Sequence, residues 1–190
     1  MNHLIAEMTE LVEAACAAPT NAFGYGIWSH HVSQVVANGR QLAPLLGADA
    51  EIVELAALLH DYASICDAAL YPEHHLHSAR VAGELLGARG YPAERIAAVQ
   101  HCIETHRGSL RARRNTVEAV CLANADALSH IQQVPSLLYL AYVQRQMSID
   151  AGAEWVAQKL ERTWRKLDPQ VQALAAPEYA AALGVLTASS

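Results

Sequence analysis

The sequence has few of the features that mark membrane, secreted or nucleic-acid-binding proteins. No stretch approaches the roughly 20 uninterrupted apolar residues that a membrane span requires, and Glu7, Glu10 and Glu13 interrupt the N-terminal segment, which therefore lacks the form of a signal peptide. The four cysteines are far apart and form no Cys-x-x-Cys pair, which favours reduced, mostly buried thiols. A net charge of −6 argues against general affinity for nucleic acid or an anionic membrane. We therefore expect a soluble, cytoplasmic protein.

Aromatic residues and strand-like patterns are also scarce. The chain has a single Phe, and hydrophobic residues make up 53% of it, against 17% charged residues. An alanine-rich and leucine-rich composition favours packed helices over sheets. The sequence shows no strand alternation, internal repeat or low-complexity tract. At 190 residues it fits one domain, so we predict a single all-α, bundle-like domain over residues 1–190.

Apolar residues at helical spacing predict a series of helices separated by short turns. Asp49 and Thr116 are expected as N-caps, and Pro92 as the first residue of its helix. The dipeptide Tyr71-Pro72 indicates an irregular loop. The predicted helices cover 2–17, 28–46, 49–61, 73–87, 92–106, 116–132, a segment opened by Pro135, 150–167 and 169–187, and residues 62–73 and 107–115 are predicted loops.

The histidines are clustered, because eight of the ten lie between His30 and His106. The central signal is His60-Asp61, which an apolar helix delivers at its C-terminal end. Burying an imidazole and a carboxylate without partners costs several kcal/mol, so a compensating cation is expected. Consecutive helical residues point about 100° apart, so both reach one ion only where the helix ends or kinks.

Four further positions extend this pair into the order His, His-Asp, His, His, Asp. They are His31, His74, His106 and Asp126, each on a different predicted helix. His75 and His77 are alternatives to His74, and His101 is an alternative to His106. His101 and His106 are five residues apart, about 140° around a helix, so both are not expected to bind the same ion.

With this order, the chain resembles the HD-domain metal-dependent phosphohydrolase superfamily over about residues 28–130. The resemblance implies an HD-type helical core there, followed by a C-terminal helical layer over about 135–188. It also implies a mononuclear site of His31, His60, Asp61 and Asp126. Relatives that carry the two intermediate histidines hold two metals bridged by the aspartate of the pair, so His74 and His106 favour two ions. Asn124 stands where many relatives have an aspartate.

A site of imidazoles and carboxylates suits Mn, Fe, Mg, Co, Ni or Zn, and ligand type does not choose among them. Two such ions, about 3.5–4 Å apart, activate water for in-line attack on phosphorus. His60 and Asp61 are therefore the predicted catalytic residues. The sequence carries no P-loop, dinucleotide fingerprint or nucleophile triad, so recognition of the phosphate must come from metal and basic side chains. The candidates for binding a small anionic substrate are Arg107, in a segment with four of the 13 basic residues, and then Arg80 and His130.

The leading hypothesis is a phosphohydrolase that acts on a phosphomonoester or phosphodiester of a nucleotide or another small metabolite. A second hypothesis keeps the site but changes the chemistry, to a di-iron oxygenase that cleaves C–C or C–P bonds with O2. A third is a metal-binding regulatory domain without turnover. The apolar C-terminal helices, which contain Trp155 and Trp164, are expected to cover the core or to form a homodimer interface.

Overall fold

A computed structural model describes residues 3–107 and 114–187 of the chain. These residues form helices and connecting turns and contain no β-strand, which confirms the predicted all-α class. A π-helical turn at Trp28–Val32 precedes α2, and a 3-10 turn at Ala68–Glu73 precedes α5. The helices are α1 (His3–Ala17), α2 (Ser33–Leu46), α3 (Ala50–Leu59), α4 (Tyr62–Cys66), α5 (His74–Gly87), α6 (Ala93–Thr105), α7 (Val117–Gln132), α8 (Val134–Tyr139), α9 (Ile149–Trp164) and α10 (Pro169–Thr187).

The core of the fold is built around α3. Every residue of this helix from Ile52 to Leu59 is buried, and α1, α2, α6 and α7 all pack against it. Glu54 is the one charged residue in this stretch, and its carboxylate forms an ion pair with Arg40 of α2. Burial of each large aliphatic side chain is worth roughly 1.5–3 kcal/mol, so a helix that is apolar all round belongs at the centre.

The start and end of α3 are set by local chemistry. Asp49 is the N-cap, and its carboxylate accepts hydrogen bonds from the backbone N–H groups of Glu51 (3.0 Å) and Ile52 (3.2 Å). The helix ends at Leu59 with His60 as its C-cap, and Asp61 leaves the helical conformation at φ −110° and ψ 3°. This change of direction separates the orientations of two adjacent polar side chains.

The C-terminal helices form a layer against α7. Helices α7, α9 and α10 each pack against the other two. Trp164 stacks on Tyr179 with ring centroids 4.3 Å apart. The Oδ1 atom of Asn124, on α7, accepts a hydrogen bond from the backbone N–H of Asp168 (2.8 Å), in the turn between α9 and α10. Asn124 therefore connects the core to this layer.

The structure corrects two of the predicted elements. Residues 62–73 are not a loop, because they fold into α4 and the 3-10 turn. Pro92 is the N-cap of α6 rather than its first helical residue. Of the predicted loop 107–115, residues 108–113, which include Arg111 and Arg113, lie outside the described residues. In the described ranges no helix has both the length and the apolar character to cross a membrane.

Candidate metal centre

The structure brings the six predicted metal ligands together, and most of them lie at helix ends. His31 lies in the π-helical turn, His60 and Asp61 follow α3, and His74 is the first residue of α5. His106 is the C-cap of α6, and Asp126 lies within α7. The histidines are buried, and the two aspartates keep about 15% and 17% of their side-chain surface. Five separate segments thus converge on one point.

Asp61 lies at the middle of this cluster, and its two carboxylate oxygens face different histidines. Its Oδ2 atom is 3.3 Å from Nε2 of both His31 and His60. Its Oδ1 atom is 3.2 Å from Nε2 of His74 and 4.0 Å from Nε2 of His106. The carboxylate therefore has one pair of histidines on each side.

Backbone carbonyl groups fix the tautomers of three of these histidines. The Nδ1 atom of His60 lies 2.8 Å from the carbonyl oxygen of Ala57, three residues earlier. His74 and His106 make the same contact with the carbonyls three residues before them, at 2.8 and 2.6 Å. A carbonyl oxygen only accepts, so each Nδ1 must carry a proton. In the neutral rings, Nε2 then presents a lone pair to the centre of the cluster.

The tautomer of His31 is fixed by a side chain instead of a backbone carbonyl. Its Nδ1 atom is 3.1 Å from Oγ of Ser129. The Ser129 hydroxyl donates its own proton to the carbonyl oxygen of Asp126 at 2.7 Å, so its oxygen accepts from His31. His31 is thereby also oriented with the Nε2 lone pair inward.

With all four rings neutral, these lone pairs face one another. Burial lowers the pKa of His60, but Asp61 outweighs it and raises the pKa to about 9, so without a metal ion a proton offsets the carboxylate charge on this side. The Nε2 atoms of His31 and His60 are 3.1 Å apart, and those of His74 and His106 are 3.3 Å apart. The buried Oδ1 atom of Asp61 has no hydrogen-bond donor among the described residues. Neutral imidazoles and carboxylates in this arrangement repel unless a cation lies between them. The donor set therefore fits divalent metal ions.

In the described part of the chain, three groups of side chains are close enough to share an ion, and two of them overlap at Asp61, whereas the third consists of His31, Asp126 and His130. One group is His31, His60 and Asp61, and another is Asp61, His74 and His106, each with ligand atoms within 4.8 Å of one another. Asp126 joins the first side, since its Oδ1 lies 3.7 Å from Nε2 of His31. Imidazole nitrogen and carboxylate oxygen are ligands for Mn, Fe, Co, Ni or Zn, and the carboxylates also suit Mg.

Electrostatics keeps the carboxylates ionised. Burial raises the pKa of Asp61, but the neighbouring His60, His31 and His74 outweigh it and hold the pKa well below its ordinary value. Burial likewise raises the pKa of Asp126, and His130 and His31 bring it far down. Burial and the proximity of His60 lower the pKa of His106 to about 4. His106 is therefore neutral and able to donate its lone pair at neutral pH.

The cluster lies on the wall of a cavity of about 660 Å³. Every predicted ligand except the fully buried His60 lines it. The remaining wall combines apolar, aromatic and basic side chains. The aromatic residues are Phe23, Tyr71, Tyr139 and Trp155. The volume falls within the range of small-molecule sites.

The predicted substrate-binding residues divide into two groups. Arg107 and His130 line the cavity, and the Arg107 guanidinium donates to the carbonyl oxygen of Pro72. His130 stacks on His31 with ring centroids 5.2 Å apart, and its Nε2 is 3.7 Å from Oδ1 of Asp126. Arg80 is exposed, pairs with Glu84 and does not line the cavity. The structure therefore does not support a role for Arg80 in substrate binding.

The alternative histidines have other neighbours. Nε2 of His101 accepts a hydrogen bond from the backbone N–H of Asn115 at 3.3 Å. His75 is buried beside His74 with ring centroids 5.9 Å apart. Neither of these residues nor His77 belongs to a group of potential metal ligands in the described parts of the chain. The geometry therefore favours His74 and His106.

Sequence reasoning missed the basic residues that the C-terminal layer contributes to the cavity. Lys159, Arg162 and Lys166 all line it, the first two on α9 and the third just beyond its end. Their spacing of three and four residues is that of one helical face, so the sequence alone could have predicted that these three cations lie together. Arg145 lines the cavity as well, with its guanidinium 4.7 Å from the centre of the Trp155 ring.

Known proteins resemble this chain in sequence and in fold. The family model described as HD domain matches residues 28–131, more than half of the chain. A crystal structure described as a predicted HD superfamily hydrolase, from an uncultured Thermotogales bacterium, aligns with a TM-score of 0.64 and 20% sequence identity. The alignment covers 96% of this chain and 89% of that chain. No curated protein matches the sequence.

Proposed function

The chain belongs to the HD domain family, and from this membership and the geometry of its site we propose that it is a metal-dependent phosphohydrolase with two divalent ions. The observation that carries the proposal is the position of Asp61. One carboxylate oxygen faces His31 and His60, and the other faces His74 and His106. A carboxylate with two imidazoles on each side has donors for two adjacent ions, the arrangement that two-metal hydrolysis uses.

The residues divide between the two ions. His31, His60, Asp126 and Oδ2 of Asp61 would hold one ion, and His74, His106 and Oδ1 of Asp61 would hold the other. Such ions, when bound, lower the pKa of water towards neutrality and offset negative charge on phosphoryl oxygens. The backbone carbonyls of Ala57, Tyr71 and Ile103 hold three of the imidazoles in the orientation that this requires.

The cavity supplies what a phosphoester needs beside the metal ligands. Arg107 and Arg114 line it next to His106, and arginine suits phosphate oxygens because its donors form a planar fork. Phe23, Tyr71 and Tyr139 offer apolar surface for the organic part of a nucleotide or another metabolite. In hydrolysis the oxygen of water bonds to phosphorus, the ester P–O bond breaks, and the alcohol leaves with one proton of the water. The other proton stays with the phosphate.

Turnover of simple phosphoesters tests this proposal. We expect the Mn²⁺-loaded protein to hydrolyse p-nitrophenyl phosphate or its bis-ester under nitrogen as well as in air. Asp61→Asn should reduce kcat by at least about 1,000-fold, because several kcal/mol of charge stabilisation in the transition state is lost. Asp67→Asn is the matched control, since the exposed Asp67 caps the nearby 3-10 turn and an asparagine there preserves the cap.

Two outcomes would contradict the proposal. Turnover that needs both iron and O2 would indicate oxygenase chemistry at the same residues. Equal activity of the wild type and the Asp61→Asn protein, with the fold of both intact by circular dichroism, would show that catalysis does not depend on this carboxylate.

A further inference from the structure

Positive charge is concentrated at the cavity although the protein is acidic. The chain has a net charge of −6 and 13 Lys and Arg residues. Among the described residues, six Lys and Arg side chains line the cavity, and only two carboxylates, those of Asp61 and Asp126, do so. The cavity thus carries four more positive than negative charges before any metal ion is bound. A phosphomonoester dianion offsets only part of this excess.

Half of these cations form a group on the C-terminal layer, which we call the α9 cation face: Lys159, Arg162 and Lys166. None of the three has a carboxylate partner within the described ranges. Arg165, one residue from Lys166, pairs instead with Glu161 at 3.3 Å on the outer surface. Like charges three and four residues apart destabilise a helix by a few tenths of a kcal/mol per pair, and a bound anion would offset this repulsion. Arg162 and Lys166 are exposed, so an anion can reach them from solvent.

The members of this face affect one another and the metal site. Burial lowers the pKa of the Lys159 ammonium group, Asp126 raises it, and Lys166 and Arg162 lower it further. The pKa of Lys166 is lowered as well, first by burial and then by the positive charges of Arg162 and Arg114. The five groups are therefore electrostatic neighbours, with Asp126 at the metal end and Lys166 at the outer end.

Arg114 connects the α9 cation face to the metal ligands. Its Nε atom donates to the carbonyl oxygen of Thr105 at 3.0 Å, and its Nη2 atom donates to that of His106 at 3.3 Å. These bonds fix one edge of the guanidinium at the C-terminal end of α6, beside a predicted metal ligand. Arg114 also lines a smaller hollow together with Lys166. Arg114 therefore lies beside a predicted metal ligand, His106, and also borders the same hollow as Lys166.

We propose that Lys159, Arg162 and Lys166, with Arg114, form a second anion-binding site, and that the substrate carries a second phosphate or a pyrophosphate group in addition to the phosphoester that is cleaved. This inference rests on the proposed hydrolase function for the position of the cleaved phosphate. The second phosphate lies against the α9 cation face, where ammonium and guanidinium groups offset its charge. A monophosphate leaves these cations without a partner.

The first test is binding without metal. With EDTA present, chelation of metal by the probe cannot contribute, and calorimetry with pyrophosphate reports binding to the protein's side chains, of which the variant removes two members of the cation face. We expect pyrophosphate to bind the wild type, and to bind Arg162→Gln/Lys166→Gln at least about tenfold more weakly, since each tenfold step corresponds to 1.4 kcal/mol. Arg165→Gln is the matched control at the C-cap of the same helix and should bind like the wild type.

The second test is the ratio of kcat/KM for matched bisphosphate and monophosphate substrates, such as fructose 1,6-bisphosphate and fructose 6-phosphate or a nucleoside diphosphate and monophosphate. We expect the wild type to prefer the doubly phosphorylated member, and the double variant to lose that preference. Equal pyrophosphate affinity in the wild type and the double variant, or an unchanged substrate ratio, would overturn the inference and leave the hydrolase proposal standing. Pyrophosphate binding that depends on Arg162 and Lys166 in a protein without phosphoesterase activity would overturn the hydrolase proposal and leave the anion site standing.

Discussion

At the residue scale, the positions of protons decide what the centre can bind. Three histidines donate Nδ1–H to backbone carbonyls, and His31 donates to the hydroxyl oxygen of Ser129. All four rings therefore direct Nε2 towards Asp61. The backbone contacts cannot be removed by substitution, whereas the Ser129 contact can. Ser129 is thus the position where the orientation of a ligand is most easily tested.

Ser129→Ala should weaken metal binding while leaving the fold intact. Loss of a hydrogen bond that orients a ligating histidine reduces metal affinity by roughly 10–100-fold, and we expect the reduction on the ion held by His31. Metal affinity is measured by competition with a chromogenic chelator. Thr9→Ala is the control, because its hydroxyl also donates to a carbonyl one turn earlier, that of Ile5, on a helix away from the centre. Unchanged affinity in Ser129→Ala would show that this serine does not position His31.

At the element scale, the helix ends position the ligands, so the capping groups contribute to the site. Asp49 caps α3, and its carboxylate accepts hydrogen bonds from both Nη1 and Nη2 of Arg95, at 3.0 and 3.1 Å. The bond from Arg95 is the largest influence and lowers the pKa of Asp49, against the opposing effect of burial. The contact joins the start of α3 to α6, whose C-cap is His106.

Substitution of Asp49 should separate the cap from the ion pair. Asp49→Ala should lower the free energy of unfolding by about 1 kcal/mol for the cap and by a few tenths more for the exposed, solvent-screened ion pair. Asp49→Asn keeps the cap and loses only the pair. Because the folded pKa lies below the unfolded value of about 3.9, the advantage of the wild type over Asp49→Asn is present above that pH. It disappears as the pH falls through the folded pKa.

Urea denaturation of the three proteins between pH 3 and pH 7 measures both effects. A difference between the wild type and Asp49→Asn that stays constant down to pH 3 would contradict the assignment of the ion pair. Equal stability of Asp49→Asn and Asp49→Ala at pH 7 would contradict the assignment of the cap.

The elements that the sequence predicted correctly are those whose signals are local. The caps Asp49 and Thr116 stand immediately before long apolar patterns, and both cap the helices expected of them. Helix α4 has only five residues, too few for periodicity to distinguish it from a loop, and Pro72 lies inside a 3-10 turn rather than an irregular segment. Proline fits such a turn as well as a loop, so Tyr71-Pro72 could not separate the two.

The candidate site was predictable in its members but not in its geometry. The order of His31, His60-Asp61, His74, His106 and Asp126 predicts the candidate ligands, and the structure brings these residues together. That the two oxygens of Asp61 face opposite histidine pairs depends on the backbone at φ −110°, which no local pattern encodes. The spacing of the α9 cation face can be read from the sequence, but that these side chains face the cavity depends on how α9 packs against α7.

At the scale of the whole molecule, the candidate ligands belong to segments that are distant in sequence. His31 and Asp126 are brought together by the packing of α2 and its preceding turn on α7, and His74 and His106 by the packing of α5 on α6. An ion that binds them therefore links helices that must separate when the protein unfolds. Metal binding should stabilise the folded state strongly, because the unfolded chain does not hold these groups together.

Thermal unfolding should show this linkage. At a free metal concentration of 100 times Kd, one site contributes about 2.7 kcal/mol, which corresponds to a rise in Tm of roughly 5–10 °C for a chain of this size. EDTA should reverse the rise, and Asp61→Asn should show a smaller one. An identical Tm with and without Mn²⁺ or Fe²⁺ would contradict the proposal that this cluster is a metal site.

We propose that Asp61 bridges two metal ions, and anomalous diffraction from crystals loaded with Mn²⁺ would show the positions of both ions. We predict two anomalous peaks about 3.5–4 Å apart. One should lie between Oδ2 of Asp61 and the His31–His60 pair, and the other between Oδ1 of Asp61 and the His74–His106 pair. A single peak, or peaks that leave Asp61 outside the coordination of either ion, would contradict the account.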